Sequence, residues 1–474
     1  MLHSFIGRKR ELHLLDELFK KKSASLVVIR GRRRIGKSRL AQEFAKKTRH
    51  YVFSGLPPTS ETSAKDQRED FAQQLQRALK IPLPRADDWG DLFWHLAQQA
   101  QQGKTVLVLD EISWMGSKDP TFLGKLKTAW DLYFKNNPQL ILILCGSISS
   151  WIEKNILSST GFMGRISLDI TLEELSLPEC NEFWNAEQDR VSAFDKFKVL
   201  SVTGGVPRYL EEILPSQSAE TNIQRLCFQK EGFLFSEFER IFSDLFSTRS
   251  AIYKTIVERL AEGPCELKNI YEALDVDKSG FVSDYMNDLV TAGFISHDFT
   301  WHLKTGQDSK ISQYRLKDNY LRFYLKYINP NKKKIEKQGL KLLLQWQSTM
   351  GLQFENLVLN NRKQIQRILG IDPSEIVNDN PFFQRKTKER SGCQIDYMIQ
   401  TKFGTCYLCE IKFSNREITK NVIDEIKEKI QSLALPKNIS IRPVLIHVNG
   451  VDESVTESNF FSSIIDFNTL LHKQ

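Results

Sequence analysis

Short continuous apolar runs bounded by polar residues alternate, over the first 150 residues, with longer stretches in which apolar positions recur every three or four residues. The runs Ser25 to Ile29 (SLVVI), Tyr51 to Ser54 (YVFS), Thr105 to Leu109 (TVLVL) and Gln139 to Cys145 (QLILILC) predict strands. TVLVL and QLILILC are apolar throughout, the pattern of strands buried on both faces in a parallel sheet. Phe5 to Leu18, with Leu12, Leu15 and Leu18 on one face, and Asp66 to Leu79 and Trp89 to Gln102 predict flanking helices. The expected class is therefore multidomain α/β, opening with a parallel-sheet domain.

Further along, Ala251 to Leu260 and Leu267 to Leu274 predict two helices split by Glu262-Gly263-Pro264, and Ser279 to Ala292 a third. Phe294 to His297 and Ile311 to Leu316 predict two short strands around a polar turn. Three helices and a two-stranded wing is a winged-helix pattern, placed at residues 250–328. Residues 329–345, rich in Lys, Asn and Pro, predict a basic solvated linker. From Trp346 onward a last domain, 346–474, begins with a helix and continues with strands.

The first strand leads directly into Gly31-Arg32-Arg33-Arg34-Ile35-Gly36-Lys37-Ser38-Arg39. This contains G-x-x-x-x-G-K-[ST] between a strand and a helix, the P-loop in its expected context. Gly31 and Gly36 let bare backbone approach a polyphosphate, and the helix aims its amides and positive dipole end there. Lys37 is expected to reach the β and γ phosphates and Ser38 to give its hydroxyl to Mg²⁺. Arg32, Arg33 and Arg34 are phosphate or neighbour contacts on one view and a solvated basic loop on the other. Ile6 and Gly7, in the turn before the first helix, are candidates for covering the adenine.

TVLVL ends in Asp110-Glu111, a Walker B arrangement: Asp110 is assigned to the metal and Glu111 to polarising the attacking water. QLILILC ends in Gly146-Ser147, and in such a sheet this strand end sits between the Walker strands. Ser147 is therefore the candidate sensor of γ-phosphate or water.

Together with Gly161 to Leu175 (GFMGRISLDITLEEL) and Gly204 to Leu210 (GGVPRYL), these motifs resemble the archaeal-type P-loop ATPases of the AAA+/STAND group. The resemblance implies an ATPase core at 1–175, a helical lid at 176–249, and binding of ATP or ADP with Mg²⁺. It makes Arg165 a candidate γ-phosphate arginine, in cis or from a neighbour, although Gly161-Phe162-Met163 departs from the family's usual P-L-Y. By the same resemblance Pro207 touches the base; taken structurally, Gly-Gly-x-Pro is a helix break.

A second constellation lies in the last domain: Asp396 in QIDYMI, then Glu410 and Lys412 in CYLCEIKFS, with Glu355 on the preceding helix. On adjacent strands Asp396 and Glu410 face each other, and E-x-K alternation puts Lys412 on the same face. Two carboxylates and an ammonium suit metal-assisted phosphodiester hydrolysis, with Asp396 and Glu410 holding Mg²⁺, Lys412 orienting water and Glu355 offering a further ligand. This resembles the PD-(D/E)XK, or restriction-endonuclease-like, fold that follows such ATPase modules.

Composition adds restraint. Net charge is +8, but Lys+Arg against Asp+Glu stands at 35 to 31 over residues 1–249, 15 to 12 over 250–345 and 16 to 15 over 346–474. An excess spread so evenly permits DNA binding without arguing for it. The third winged-helix helix offers Lys278, Ser283, Asp284, Asn287 and Asp288, and its acidic members favour an interdomain or regulatory module over a groove reader. Seven cysteines without an apolar leader suggest a reducing, cytoplasmic setting, and no run reaches the ~18 residues of a membrane span. Cys406 and Cys409 stand alone as C-x-x-C and are expected to be strand residues. Two functions compete: an ATPase coupled to a DNA-binding or DNA-cutting domain, and a STAND-type switch in which nucleotide controls self-association or a partner protein.

Overall fold

The computed structural model describes residues 5–59, 61–147, 149–246, 250–278, 280–341, 344–386 and 391–473. Ser279, expected to open a helix, residues 247–249 of the expected lid and residues 342–343 of the expected linker lie outside the described residues. The chain forms two compact units, Met1–Glu173 with Thr291–Gly293, and Glu174–Val290 with Phe294–Gln474.

The first unit is built on five strands, β1 Ser25–Arg30, β2 Arg49–Ser54, β3 Thr105–Asp110, β4 Leu140–Gly146 and β5 Ile166–Thr171, in the order β2-β3-β4-β1-β5. Every neighbouring pair is parallel. Alternation along β1 explains the apolar run: Leu26 and Val28 enter one core with Phe71, Trp89, Phe93 and Phe122, while Val27 and Ile29 enter another with Leu15, Leu40 and Phe44. Each fully buried side chain of this size contributes roughly 1.5–3 kcal/mol, so this sheet is a rigid floor for the loops at its strand ends. β5 escaped prediction because it is an edge strand, mostly half-exposed, and carries no apolar run.

In the second unit, helices Ala193–Thr203, Pro207–Leu210, Ala219–Cys227 and Glu237–Phe246 precede three more, Ser250–Ala261, Leu267–Leu274 and Gly280–Thr291. An antiparallel hairpin follows, β6 Ile295–Trp301 and β7 Asp308–Leu316, longer than the two expected strands. The C-terminal sheet comprises β8 Ile376–Gln384, β9 Cys393–Thr401, β10 Thr405–Lys412, β11 Ser440–His447 and β12 Ser463–Asp466, in the order β12-β11-β10-β9-β8. β9 runs antiparallel to both of its neighbours, β8 and β10, and β10, β11 and β12 are parallel.

Two expectations about boundaries fail. The expected linker folds in part: Lys332–Gln338 is a helix with Ile335 fully buried, and the Leu340 amide donates to the Phe228 carbonyl at 3.0 Å. One buried apolar residue in about two turns is enough to pin a basic segment that composition alone assigns to solvent. The hairpin and the C-terminal sheet, assigned to separate domains, share a core: Trp301 and Leu303 pack with Phe382, Met398 and Leu408. Trp301 Nε1 also donates to Gln400 Oε1 at 2.5 Å, and Gln400 Nε2 to the Leu303 carbonyl at 2.8 Å.

Candidate functional site

The P-loop geometry follows from its glycines. Gly31 has φ +142°, and a Cβ there would stand 2.5 Å from the Leu172 carbonyl oxygen. Gly36, at φ +90°, caps the helix Lys37–Ala45 in a left-handed conformation that glycine adopts without strain. Arg8 ties the loop from outside, its guanidinium donating to the carbonyls of Ile35 at 3.1 Å and Glu173 at 2.7 Å. Ile6 and Gly7 immediately precede this arginine, which places their turn next to the loop.

Lys37 is buried, and its ammonium donates to the carbonyls of Gly31 at 3.0 Å and Arg32 at 2.9 Å. Burial lowers its pKa, opposed by the negative charges of Glu111 and Asp110. Arg32 is buried as well, which removes the solvated-loop alternative at that position; Arg33, Arg34, Ser38 and Arg39 are half-buried. Ile35 lies fully in the core.

β4 lies between β1 and β3, so the ends of the P-loop strand and the Asp110 strand flank the end that carries Ser147. Ser147 grips Glu111, the hydroxyl donating to Oε1 at 3.0 Å and the amide to Oε2 at 3.3 Å. Burial raises the Glu111 pKa and Asp110 adds to the rise, while Lys37 and the Ser147 bonds work against it. Glu111 also holds a left-handed backbone, φ +51°, a strained conformation that recurs at functional positions. A bare backbone cradle at a helix N-terminus, a buried lysine, a hydroxyl at Ser38 and a carboxylate at Asp110 fit a nucleoside triphosphate with Mg²⁺.

Arg165 does not join this group. It precedes β5, at the edge where the parallel strands begin, whereas the P-loop follows β1 at the edge where they end. A six-residue strand spans about 20 Å, so the cis alternative fails. Its guanidinium is engaged by Asp131, with Nε to Oδ1 at 3.0 Å and Nη2 to Oδ2 at 2.9 Å. Arg165 and Lys127 together hold the Asp131 carboxyl well below the usual range. Pro207 belongs to the second unit and opens the short helix Pro207–Leu210.

In the C-terminal sheet the ladder pairs Cys406 with Gln400 and continues to Cys409 with Tyr397, so Glu410 and Asp396 stand in facing positions at its end. The Ile411 amide donates to Asp396 Oδ2 at 2.8 Å. Glu410 is only 2% exposed; Lys412 Nζ lies 3.3 Å from its Oε1. Burial, then Glu410, then Glu355 push the Asp396 pKa up to about 8, with Lys429 opposing. Burial raises Glu355 too, against Arg315 and Arg322.

Three expectations change here. Lys412 is bonded to Glu425 Oε2 at 2.8 Å, so its ammonium is shared between the site and a helix. Glu355 does not complete a ligand set, since among the described residues no group of three or more His, Cys, Asp or Glu could hold a metal ion. Both Glu410 oxygens accept from Lys429 of helix Asn421–Ser432, at 2.7 and 2.6 Å. That lysine went unread, although the apolar spacing Val422, Ile423, Ile426, Ile430 marks its helix and sets Glu425 and Lys429 one turn apart on one face. Cys406 and Cys409 are free and buried, and three residues apart on a strand they point to opposite faces, which rules out a shared ion.

The helix Gly280–Thr291 exposes Phe281, Asp284 and Asn287, and its Asp288 accepts from the Tyr253 hydroxyl at 2.6 Å. Among the described residues no helix is long and apolar enough to cross a membrane.

Comparison with known proteins agrees with the first unit's geometry. Residues 5–213 match the family described as an ATPase domain predominantly from Archaea. An uncharacterized protein of Methanocaldococcus jannaschii is 25% identical over 334 residues, 70% of each chain. The Walker-type ATPase PABY2304 of Pyrococcus abyssi superposes with a TM-score of 0.50 at 16% identity, over 68% of this chain and 96% of that one. The ORC2 protein of Aeropyrum pernix, in ADPNP and ADP complexes, gives 0.41 at 14% identity, over 70% and 98%. Residues 5–213 are thus similar to a P-loop ATPase domain, and the parallel sheet of the first unit agrees in fold with the Pyrococcus abyssi structure.

Proposed function

We propose that the chain is an ATP-hydrolysing control protein whose last domain, restriction-endonuclease-like in fold, acts on DNA through Asp396, Glu410 and Lys412. The nucleotide half rests on Ser147 fixing both oxygens of Glu111 beside the buried Lys37. Held so, the Glu111 carboxylate takes the proton of the water that attacks the γ-phosphorus, as the bond to the bridging oxygen breaks. Lys37 and the amides of the P-loop helix balance the charge on the leaving phosphate. Bound Mg²⁺, held by Ser38 and Asp110, would supply charge neutralisation at the phosphate oxygens.

The nucleic-acid half rests on one observation: Asp396 and Glu410 face each other across β9 and β10, with Lys412 two residues on along the same face. The element order helix, three strands, helix, strand around that pair supports the fold assignment. The hairpin's shared core with the C-terminal sheet supports the three-helix region as a regulatory module rather than a DNA reader. The γ-phosphate role of Arg165 is assigned to a neighbouring copy in an assembly.

The test is Lys412→Ala in the full-length chain: Mg²⁺-dependent cleavage of DNA should vanish while ATP hydrolysis persists. Absence of cleavage by the unmutated chain on both DNA and RNA would sink the nuclease half. The engagement of both Glu410 oxygens by Lys429 favours a second reading, a STAND-type switch with a non-catalytic last domain. Under that reading the unmutated chain cuts nothing and its assembly changes with nucleotide.

A further inference from the structure

Lys429 has no place in a D…E-x-K site, yet it makes the closest contacts there. It stands on helix Asn421–Ser432, whose Val422, Ile423 and Ile426 share a core with Leu408 and Leu445. Leu408 and Glu410 lie on the same face of β10, two residues apart. The helix thus covers the carboxylates, with Ile426 fully buried as its anchor. Lys412 lies 3.3 Å from one Glu410 oxygen and gives its shorter bond, 2.8 Å, to Glu425. Lys429 instead bonds both oxygens, at 2.7 and 2.6 Å.

We propose that Lys429 is the resident counter-cation of the Asp396 and Glu410 pair, and that a divalent cation gains the pair only by displacing it. The inference rests on the proposed metal-binding role of that pair. A hard divalent cation needs carboxylate lone pairs and repels a neighbouring ammonium; here both oxygens of the more buried carboxylate already accept from one. Lys429 can leave without unfolding its helix: its stem is a flexible four-carbon chain, its side chain is 28% exposed, and Glu425, which already accepts from Lys412, stands one helical turn back. An ammonium in this place makes the site latent, with weak metal affinity set by the cost of moving Lys429.

The experiment measures Mn²⁺ binding, as free Mn²⁺ by electron paramagnetic resonance, to the full-length protein without nucleotide. Lys429→Met should bind Mn²⁺ at least about tenfold more tightly than the unmutated chain, consistent with removal of a nearby like charge. Lys429→Arg should stay near the unmutated affinity, and Asp396→Asn should abolish the gain. Lys429→Gln, which keeps a neutral donor to Glu410, is judged by the same tenfold criterion should the methionine variant not fold. Equal or weaker binding by a folded Lys429 variant overturns the counter-cation role while leaving the metal site standing. If no variant shows Mn²⁺ binding sensitive to Asp396, the metal site itself is refuted and the inference with it.

Discussion

Ser147→Ala isolates one bond at the nucleotide site. Its hydroxyl donates to Glu111 Oε1 at 3.0 Å and its amide to Oε2 at 3.3 Å, so alanine removes the first and keeps the second. A hydrogen bond to a charged group contributes roughly 1.5–3 kcal/mol, and each ~1.4 kcal/mol is a factor of ten in rate. On the proposed role, in which Ser147 holds the base, the expected loss is about 10- to 100-fold in kcat, with KM for ATP little changed. The pH profile gives an independent check. In the proposed mechanism Glu111 acts as the carboxylate, so kcat should fall as pH drops through its pKa. Burial already raises that pKa and the Ser147 bond opposes the rise; losing the bond moves the acid limb to higher pH. Steady-state phosphate release across the acid to neutral range measures both. An unchanged acid limb with unchanged kcat, or an effect confined to KM, refutes the assignment of Glu111 as base and Ser147 as its holder.

Other expectations follow from the same geometry. Asp298→Ala should lower the unfolding free energy of the second unit by about 3–5 kcal/mol, read by urea denaturation, because it strands Arg315, 4% exposed and 3.1 Å from Asp298, without its counter-charge. Burial alone would raise the Asp298 pKa, but Arg315 and Arg362 hold it below the usual carboxylate range. Its stabilisation is thus complete above the unfolded value near ~3.9 and is lost as pH falls through the lower folded value, so the two proteins should converge in strong acid. Gly31→Ala must either move the Leu172 carbonyl or distort the loop, a strain of about 1–3 kcal/mol. Nucleotide affinity, followed with a fluorescent ATP analogue, should drop on the order of tenfold or more, and an unaltered affinity contradicts the close-approach argument.

Legibility in the sequence tracked burial and locality. β1, β3 and β4 could be read because burial on both faces writes an unbroken apolar run, and the P-loop because its chemistry is contiguous. β5 was missed because an edge strand writes no such run. Which sheet edge holds Arg165 depends on strand direction, which no local pattern records. Asp396, Glu410 and Lys412 came together as their spacing required, since a hairpin register is nearly local. Lys429 and Glu425 reach the same place from a helix between parallel strands, and only the crossover brings them there.

The hairpin formed by β6 and β7 bears on how this chain can be divided. β8 is the terminal strand of the C-terminal sheet, and a bare outer strand offers its amides to other chains. Thr300 Oγ1 takes the Phe383 amide at 3.3 Å, the Gly306 carbonyl takes the Asn378 side chain at 2.7 Å, and Trp301 meets the Phe382 ring edge-on at 5.2 Å. A fragment beginning at Trp346 would lose this cover together with part of its core, and would be prone to edge-to-edge aggregation. A fragment meant to keep the last sheet folded should therefore begin before the hairpin, at or ahead of Ile295.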